Sequence, residues 1–310
     1  MSEVAQIPWL EANQRYLSAG SAAVRACLER HKSELRDATA ARATDPAWQT
    51  LAALARDMPA PPALERLRAI FRLSPFEGDV LLLCAAMELD AAIGSLCAAA
   101  SDPQRPFPTF SLALAVLPGA HWSALSPGGP LRRWRLVDVA AGSSLTLSPL
   151  RIDERVLHYL AGVQHLDERL AGLVESVAAA EPLVASQREV AAQLVTAWKS
   201  AAERGDRLPP AQLCGPDVAA RRGVAAAACR ELGLGLLAAP ADVLPVAPNE
   251  LDSVLRLWER ESALGAAALY LDCEELEASD TARANGLSWL LERVNRPLIV
   301  GSRDRRRTRG

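Results

Sequence analysis

The sequence has 310 residues, of which half are apolar and 23% are charged, and its net charge is −3 at pH 7. This length and composition predict about two globular domains and exclude a fibrous or intrinsically disordered chain. The near-neutral charge gives no overall bias toward nucleic acid or an anionic membrane.

The N-terminal residues and the spacing of the cysteines predict the cellular compartment of the protein. The first residues carry an acid and no apolar core, and no uninterrupted apolar run reaches about 18 residues, so neither a signal peptide nor a membrane span is expected. The six cysteines form no CxxC pair, which predicts buried thiols in a reducing cytoplasm. The four histidines do not cluster, and we expect no metal site from them.

Residues 1–62 are predicted to be a helical segment. One long helix is expected over residues 8–42, because apolar residues recur there at helical spacing. Asp45 and Pro46 form an N-cap and first helical residue that restart the chain in a second helix. We interpret this segment as a helical cap on the domain after it; a partner-binding coiled coil is the alternative.

Residues 63–162 are predicted to form a winged-helix domain. A short helix over LERLRAIF precedes a capping box formed by Ser74 and Glu77, with Pro75 as the first helical residue. Thr109 caps a third helix. A hairpin around residues 140–143 then supplies the wing, with five predicted strand residues: Leu136, Val137, Val139, Leu145 and Leu147.

The predicted wing and third helix bear on DNA binding. Arg132, Arg133 and Arg135 place positive charge where the first wing strand is expected to begin. The third helix, over residues 110–117, has no Lys, Arg, Asn or Gln to contact bases or phosphates. We therefore favour protein contact over DNA binding for this domain.

Residues 163–206 are predicted to be a helical linker, within a helical stretch from 151 to 205. From residue 207 to 310, short apolar strands alternate with helices, which predicts a parallel α/β sheet. The strands are expected at 212–214, 234–238, 267–271 and 297–300. The tail RDRRRTRG favours a frayed end over a basic arm.

A loop after the first of these strands has the outline of a phosphate-binding loop. In the motif G-x-x-x-x-G-K-[ST], the glycines let the backbone fold round the phosphates, the Lys meets their charge, and the hydroxyl holds Mg²⁺. Here the aligned residues run from Gly215 and Pro216 to Ala220, Arg221 and Arg222. Only the first glycine is kept, and the helix is expected to begin near Arg221.

Two later strands end in candidate contacts for a metal and a γ-phosphate. ALYLDCEE places Asp272 where an acid would hold Mg²⁺, but Cys273 follows where a catalytic Glu is usual. Glu274 and Glu275 follow, and the directions of their side chains cannot be predicted past the strand end. Ser302, at the end of the last strand, is the candidate polar sensor.

The order of these parts resembles the N-terminal region of bacterial AAA+ ATPases, some of which accompany contractile injection systems. The motifs that carry the resemblance are PWLEANQRYL, SPFEGDVLLLCA, PLRRWRLVDV, RVLHYLAG, QLCGPDVAARRGVAAAACRELG and ALYLDCEELE. Together they span nearly the whole chain. The resemblance implies an incomplete, degenerate first AAA+ domain, with Gly215, Arg221 and Asp272 as what is left of the phosphate and metal contacts.

Three functions are compatible with these observations. The resemblance implies ATP and Mg²⁺ as cofactors, but the lost motif residues favour a chain that binds neither. The first hypothesis is therefore a non-catalytic regulatory or assembly segment, whose partners are proteins such as AAA+ subunits of a ring or a contractile injection system. The second is an ATP-binding fragment that hydrolyses ATP only when completed by a partner or further sequence. The third is a winged-helix DNA-binding regulator.

Overall fold

The structure, a computed structural model, describes residues 3–33, 45–142, 144–177, 182–276 and 280–305. It divides into two compact units, Met1–His165 and Leu166–Gly310. The first unit is mainly helical and contains a two-stranded sheet, and the second contains a five-stranded sheet with helices. The finer division into four segments at 62, 162 and 206 stays a prediction.

The first unit begins with two helices, α1 (Glu3–Ser33) and α2 (Pro46–Asp57). The predicted part of the first helix beyond residue 33 lies outside the described residues. Asp45 caps α2 as predicted, since its carboxylate accepts a hydrogen bond from the Ala47 N–H at 2.9 Å. Apolar residues at helical spacing on α1, including Leu17 and Leu28, are buried.

Three further helices, α3 (Ala63–Phe71), α4 (Pro75–Leu89) and α5 (Ala92–Ala100), follow in the first unit. The predicted capping box is confirmed, because the Glu77 N–H donates to Ser74 Oγ at 3.1 Å and the Ser74 N–H donates to Glu77 Oε2 at 2.8 Å. Helix α4 is buried on most sides. Helix α5 was not predicted, because its small residues give no clear apolar period.

The remaining elements of the first unit are α6 (Phe110–Val116), a 3-10 helix (Trp122–Leu125), α7 (Pro130–Arg133), β1 (Val137–Val139), β2 (Leu150–Ile152) and α8 (Glu154–Leu160). Thr109 caps α6 as predicted, accepting from the Leu112 N–H at 3.1 Å. Strands β1 and β2 pair antiparallel, with Val137 opposite Ile152.

The predicted wing needs two corrections. Leu136, Leu145 and Leu147 are not strand residues, because β1 begins at Val137 and the second strand begins only at Leu150; Leu145 is instead 42% exposed in the connecting turn. Arg132 and Arg133 lie in α7 and not at the start of a strand, since Pro130 begins a helical turn there. The predicted turn residue 143 lies outside the described residues.

The second unit begins with α9 (Glu168–Ala171), β3 (Glu175–Ser176) and α10 (Ala185–Glu203). The prediction of an all-helical stretch from 151 to 205 is therefore wrong at β3, and also at residues 151 and 152, which belong to β2. Glu175 and Ser176 are both exposed and polar, so they show no alternation of apolar and polar residues that would predict a strand. Their extended conformation results from pairing with β5. Helix α10 is amphipathic and buries Leu194 and Trp198.

Four further strands and three helices alternate after α10, as predicted. They are β4 (Ala211–Cys214), α11 (Val218–Glu231), β5 (Gly235–Pro240), α12 (Pro248–Gly265), β6 (Ala267–Asp272), α13 (Thr281–Arg293) and β7 (Leu298–Ser302). The sheet order is β3-β5-β6-β7-β4. Strands β5, β6, β7 and β4 are parallel, but β3 pairs antiparallel with β5, so the sheet is mixed and not purely parallel.

The sheet of the second unit is buried on both faces. Along β6, Leu269 and Leu271 pack in one apolar cluster with residues of α12 and α13, whereas Tyr270 packs in a second cluster with residues of α10 and α11. This alternation results from the two-residue period of a strand. No helix among the described residues is long and apolar enough to cross a membrane.

Candidate functional site

The loop between β4 and α11 is shorter than the predicted phosphate loop. Gly215 has a φ of +152°, which favours glycine, and its N–H donates to the carbonyls of Ser302 at 3.2 Å and Arg303 at 3.1 Å. Asp217 caps α11 by accepting a hydrogen bond from the Ala220 N–H at 3.1 Å. The helix therefore begins at Val218, three residues before the predicted start, and Ala220 is helical.

Arg221 is held in the interior by the loop and by the end of β6. Its side chain is 3% exposed, and one guanidinium nitrogen donates to the Gly215 carbonyl. The other terminal nitrogen, Nη2, lies 2.6 Å from Glu274 Oε2. Burial acts to lower the pKa of Arg221, but its interactions with Tyr270 and Glu274 raise it above its ordinary value. Arg221 therefore stays charged and is neutralised within the chain.

Arg222 joins three elements through two carboxylates. Its Nη2 lies 3.2 Å from Asp272 Oδ2 at the end of β6, and its Nη1 lies 2.8 Å from Glu175 Oε1 on β3. The guanidinium carbon also lies 6.0 Å from the centre of the Tyr270 ring, in cation–π range. The structure therefore brings the predicted residues Arg222 and Asp272 together as an ion pair.

The remaining candidate groups lie at the end of β6 and directly after it. Asp272 Oδ1 accepts a hydrogen bond from the Glu274 N–H at 3.1 Å, so both carboxylate oxygens are engaged. Cys273 is buried, and its N–H donates to the Gly301 carbonyl at 2.8 Å. Glu274, whose direction the sequence left open, turns toward Arg221. Within the described residues, no group of three or more His, Cys, Asp or Glu side chains is arranged to hold a metal.

The predicted sensor residue, Ser302, is 2% exposed at the end of β7. Its hydroxyl accepts from Gln212 Nε2 at 3.2 Å and donates to the Asp304 carbonyl at 2.8 Å. Next to it, Gly301 packs so closely on the Tyr270 ring that a Cβ would overlap the hydroxyl. Ser302 is therefore engaged in local bonds that tie β4 and the following turn to β7.

A groove of about 230 Å³ lies between α10 and the β4–α11 loop. The predicted residues Pro216 and Ala220 line it, together with apolar side chains that include Val190 and Leu213. Its volume lies below the range of roughly 300–1,000 Å³ that is usual for small-molecule sites.

Two residues that sequence reasoning missed, Asp217 and Glu175, complete this arrangement together with Glu274. The cap by Asp217 could have been recognised, since Asp before an Ala-rich helix is a common N-cap. Glu175 had no local signal, because its partner Arg222 lies 47 residues further along the chain.

A family model described as "Winged helix domain, variant" matches residues 11–174, which is more than half of the chain. The chain belongs to this winged helix family. No curated protein matches the sequence. A winged helix domain indicates interaction with protein or DNA. The match ends before β4 and gives no information on the phosphate-loop region.

The exposed charges of α6 and of the wing bear on whether the winged helix domain could read DNA. On α6, the exposed residues are Ser111 and Ala115, neither of which carries positive charge. Across the wing, Asp138 is exposed opposite Arg151, so the two charges offset one another. Arg132 donates to the Leu125 carbonyl at 2.9 Å. Among the described residues, α6 therefore exposes no positive charge, whereas the Arg133 side chain is exposed shortly before β1.

Proposed function

We propose that this chain is a non-catalytic regulatory or assembly protein that acts through protein contacts. It combines a winged helix domain with a C-terminal α/β unit that has an NTPase-like outline. The charged groups at the loop of this unit form ion pairs with one another. The observation that carries this proposal is the ion pair between Arg222 and Asp272, at 3.2 Å. By the motif alignment, these residues stand where a hydroxyl and an acid would share Mg²⁺.

The charges at the loop are balanced without a ligand. The Arg221 charge, aligned with the phosphate-binding Lys, meets Glu274, and the Asp272 charge meets Arg222. A triphosphate would have to displace Glu274 from a guanidinium that is 3% exposed. Separating a buried pair is costly, because it leaves a buried charge uncompensated. This balance supports a unit that works without nucleotide.

The residues at the site do not fit Mg²⁺-ATP. Both oxygens of Asp272 accept hydrogen bonds, and position 222 has no hydroxyl to coordinate a cation. The Asp217 carboxylate already occupies the N-terminus of α11, where a phosphate would otherwise be favoured. The observations therefore disfavour the alternative of an ATP-binding fragment completed by a partner.

Protein contact is the better-supported interaction for the winged helix domain. DNA recognition needs donors or positive charge on the element that enters the groove, and α6 exposes Ser111 and Ala115 instead. As partners we propose AAA+ subunits of a ring or a component of a contractile injection system; this identification depends on the sequence resemblance alone.

Two titrations of the full chain separate the proposal from its alternatives. One uses a fluorescent ATP analogue with Mg²⁺, and the other uses labelled duplex DNA at low salt, both followed by fluorescence anisotropy. We expect no saturable binding in either. Saturable binding of the ATP analogue would support the ATP-binding fragment. Duplex binding that weakens steeply with salt would support a DNA-binding regulator.

A further inference from the structure

The C-terminal unit contains a cavity of about 530 Å³ between α10 and α11, which shares no lining residue with the groove at the β4–α11 loop. The wall from α10 includes Arg188 and Ala191, and the wall from α11 includes Ala227 and Arg230. The two residues of each pair are three apart and therefore lie on one face of their helix. The volume lies within the roughly 300–1,000 Å³ that is usual for small-molecule sites.

The two arginines at this cavity have no carboxylate partner among the described residues. Arg188 Nη1 donates to the Leu183 carbonyl at 2.7 Å, which holds the side chain at the wall without neutralising its charge. The Arg230 guanidinium forms neither a hydrogen bond nor an ion pair with any residue that the structure describes. Both residues are exposed, so their remaining N–H donors are open to a ligand.

The rest of the cavity wall limits the charge and the shape of the ligand. The carboxylate in the wall, Glu231, is offset by a lysine, since its Oε1 lies 3.6 Å from Lys199 Nζ. The other lining residues are uncharged and include Leu183, Ala191 and Ala227. Two cationic groups on different helices, with apolar surface in the same cavity, favour a ligand that has two negative charges joined by an aliphatic part. A triphosphate would bring further negative charge to Glu231.

We propose that this cavity binds a small aliphatic dicarboxylate, with one carboxylate at Arg188 and the other at Arg230. A guanidinium group can donate two parallel hydrogen bonds to a carboxylate, which makes arginine well suited to this class of ligand. The aliphatic chain contacts Ala191 and Ala227. The proposal does not depend on the proposed function, because it uses neither the β4–α11 loop nor the winged helix domain.

The test is a titration of the ¹⁵N-labelled full chain with glutarate at fixed ionic strength, followed by amide chemical shifts. We expect saturable shifts at Gly223 and Ala227. Binding should be about 3- to 10-fold weaker in Arg230→Ala, and Arg230→Glu should show no saturable binding. Both variants should keep the fold, because Arg230 is exposed and forms no ion pair with a described residue. The matched control Arg256→Ala removes an exposed positive charge from α12, outside the cavity, and should bind as wild type.

Three further ligands test the chemical class. Glutaramide has the same chain without charge, and butyrate has a single carboxylate, so each should bind at least about 3-fold more weakly than glutarate. Inorganic phosphate should also bind more weakly, because it has no aliphatic part to contact the apolar wall. Absent or non-saturable shifts, equal binding by Arg230→Glu, or binding of any of these three ligands equal to that of glutarate would overturn the proposal.

Discussion

Arg222 Nη2 lies 3.2 Å from Asp272 Oδ2, and the same guanidinium reaches Glu175 Oε1 at 2.8 Å. One side chain thus connects α11 with the end of β6 and with the edge strand β3. The positive charge that balances these two carboxylates is therefore the guanidinium of Arg222. This relationship leads to predictions on metal response, stability and nucleotide binding.

The first prediction concerns Mg²⁺. Arg222→Ala leaves Asp272 and Glu175 without their cation, so 10 mM MgCl₂ should raise the melting temperature of this variant by about 2 °C through binding to the folded state. Wild type should not respond, because Arg222 already balances the carboxylates. Thermal melts followed by circular dichroism, with NaCl at equal ionic strength as control, measure the difference. An equal Mg²⁺ response in both proteins would contradict the role given to Arg222.

The second prediction concerns the pair of Arg221 with Glu274. Arg221→Ala should lower the free energy of unfolding by about 2–3 kcal/mol, somewhat below the cost of breaking a fully buried pair, because the Glu274 side chain is 28% exposed. The matched control is Arg230→Ala, an exposed arginine of the same helix, which should change stability by less than about 0.5 kcal/mol. Urea unfolding measures both. Similar small losses in the two variants would show that the pair contributes little.

The third prediction concerns the close packing of Gly301 and Tyr270. Gly301→Ala should destabilise the fold by at least about 2 kcal/mol, because the added methyl overlaps the tyrosine hydroxyl. Gly172→Ala, at a position with open space around the Cβ, is the control and should be near neutral. In a double-mutant cycle, Gly301→Ala should cost little once Tyr270→Ala is present. Additive losses would contradict the overlap.

The fourth prediction concerns acid stability. Burial acts to raise the pKa of Asp167, but hydrogen bonds from Arg169 and the charge of Arg260 lower it to about 2. Because the folded pKa is below the unfolded value, the stabilisation is present above about pH 4 and is lost as pH falls toward 2. The side chain is 3% exposed, so water screens it little, and the contribution is about 2 kcal/mol.

The measurement for Asp167 is urea unfolding at a series of pH values between 5 and 2. Asp167→Asn should be less stable than wild type at pH 5, and the difference between the two should shrink as the pH falls. A difference that stays constant across this range would show that the Asp167 carboxylate does not titrate as predicted.

Local chemistry made much of the fold predictable. Asp45, Ser74 and Thr109 each cap a helix that begins where the sequence indicates, because a cap involves residues only two or three apart. The strands of the α/β unit were likewise visible as short apolar runs between helices. The sequence placed β6 within one residue of its observed end, since buried strands contrast clearly with the polar turns around them.

Contacts between distant parts of the chain were not predictable in this way. The partner of Arg222 on β3 lies 47 residues away, and two exposed residues give β3 no strand pattern. Asp217 was not recognised as a helix cap either. The phosphate-loop alignment assigned residues 216–220 to a turn, and the helix was therefore predicted to begin only near Arg221. The direction of Glu274 required the backbone path after β6, which one sequence does not specify.

The most direct test of the central claim is isothermal titration calorimetry of the full chain with Mg²⁺-ATP, on wild type and on Arg221→Ala. If the loop is filled by its own ion pairs, wild type will release no binding heat up to millimolar ATP. Micromolar binding by wild type that is lost in Arg221→Ala would contradict the account, because it would mean that Arg221 leaves Glu274 to contact phosphate.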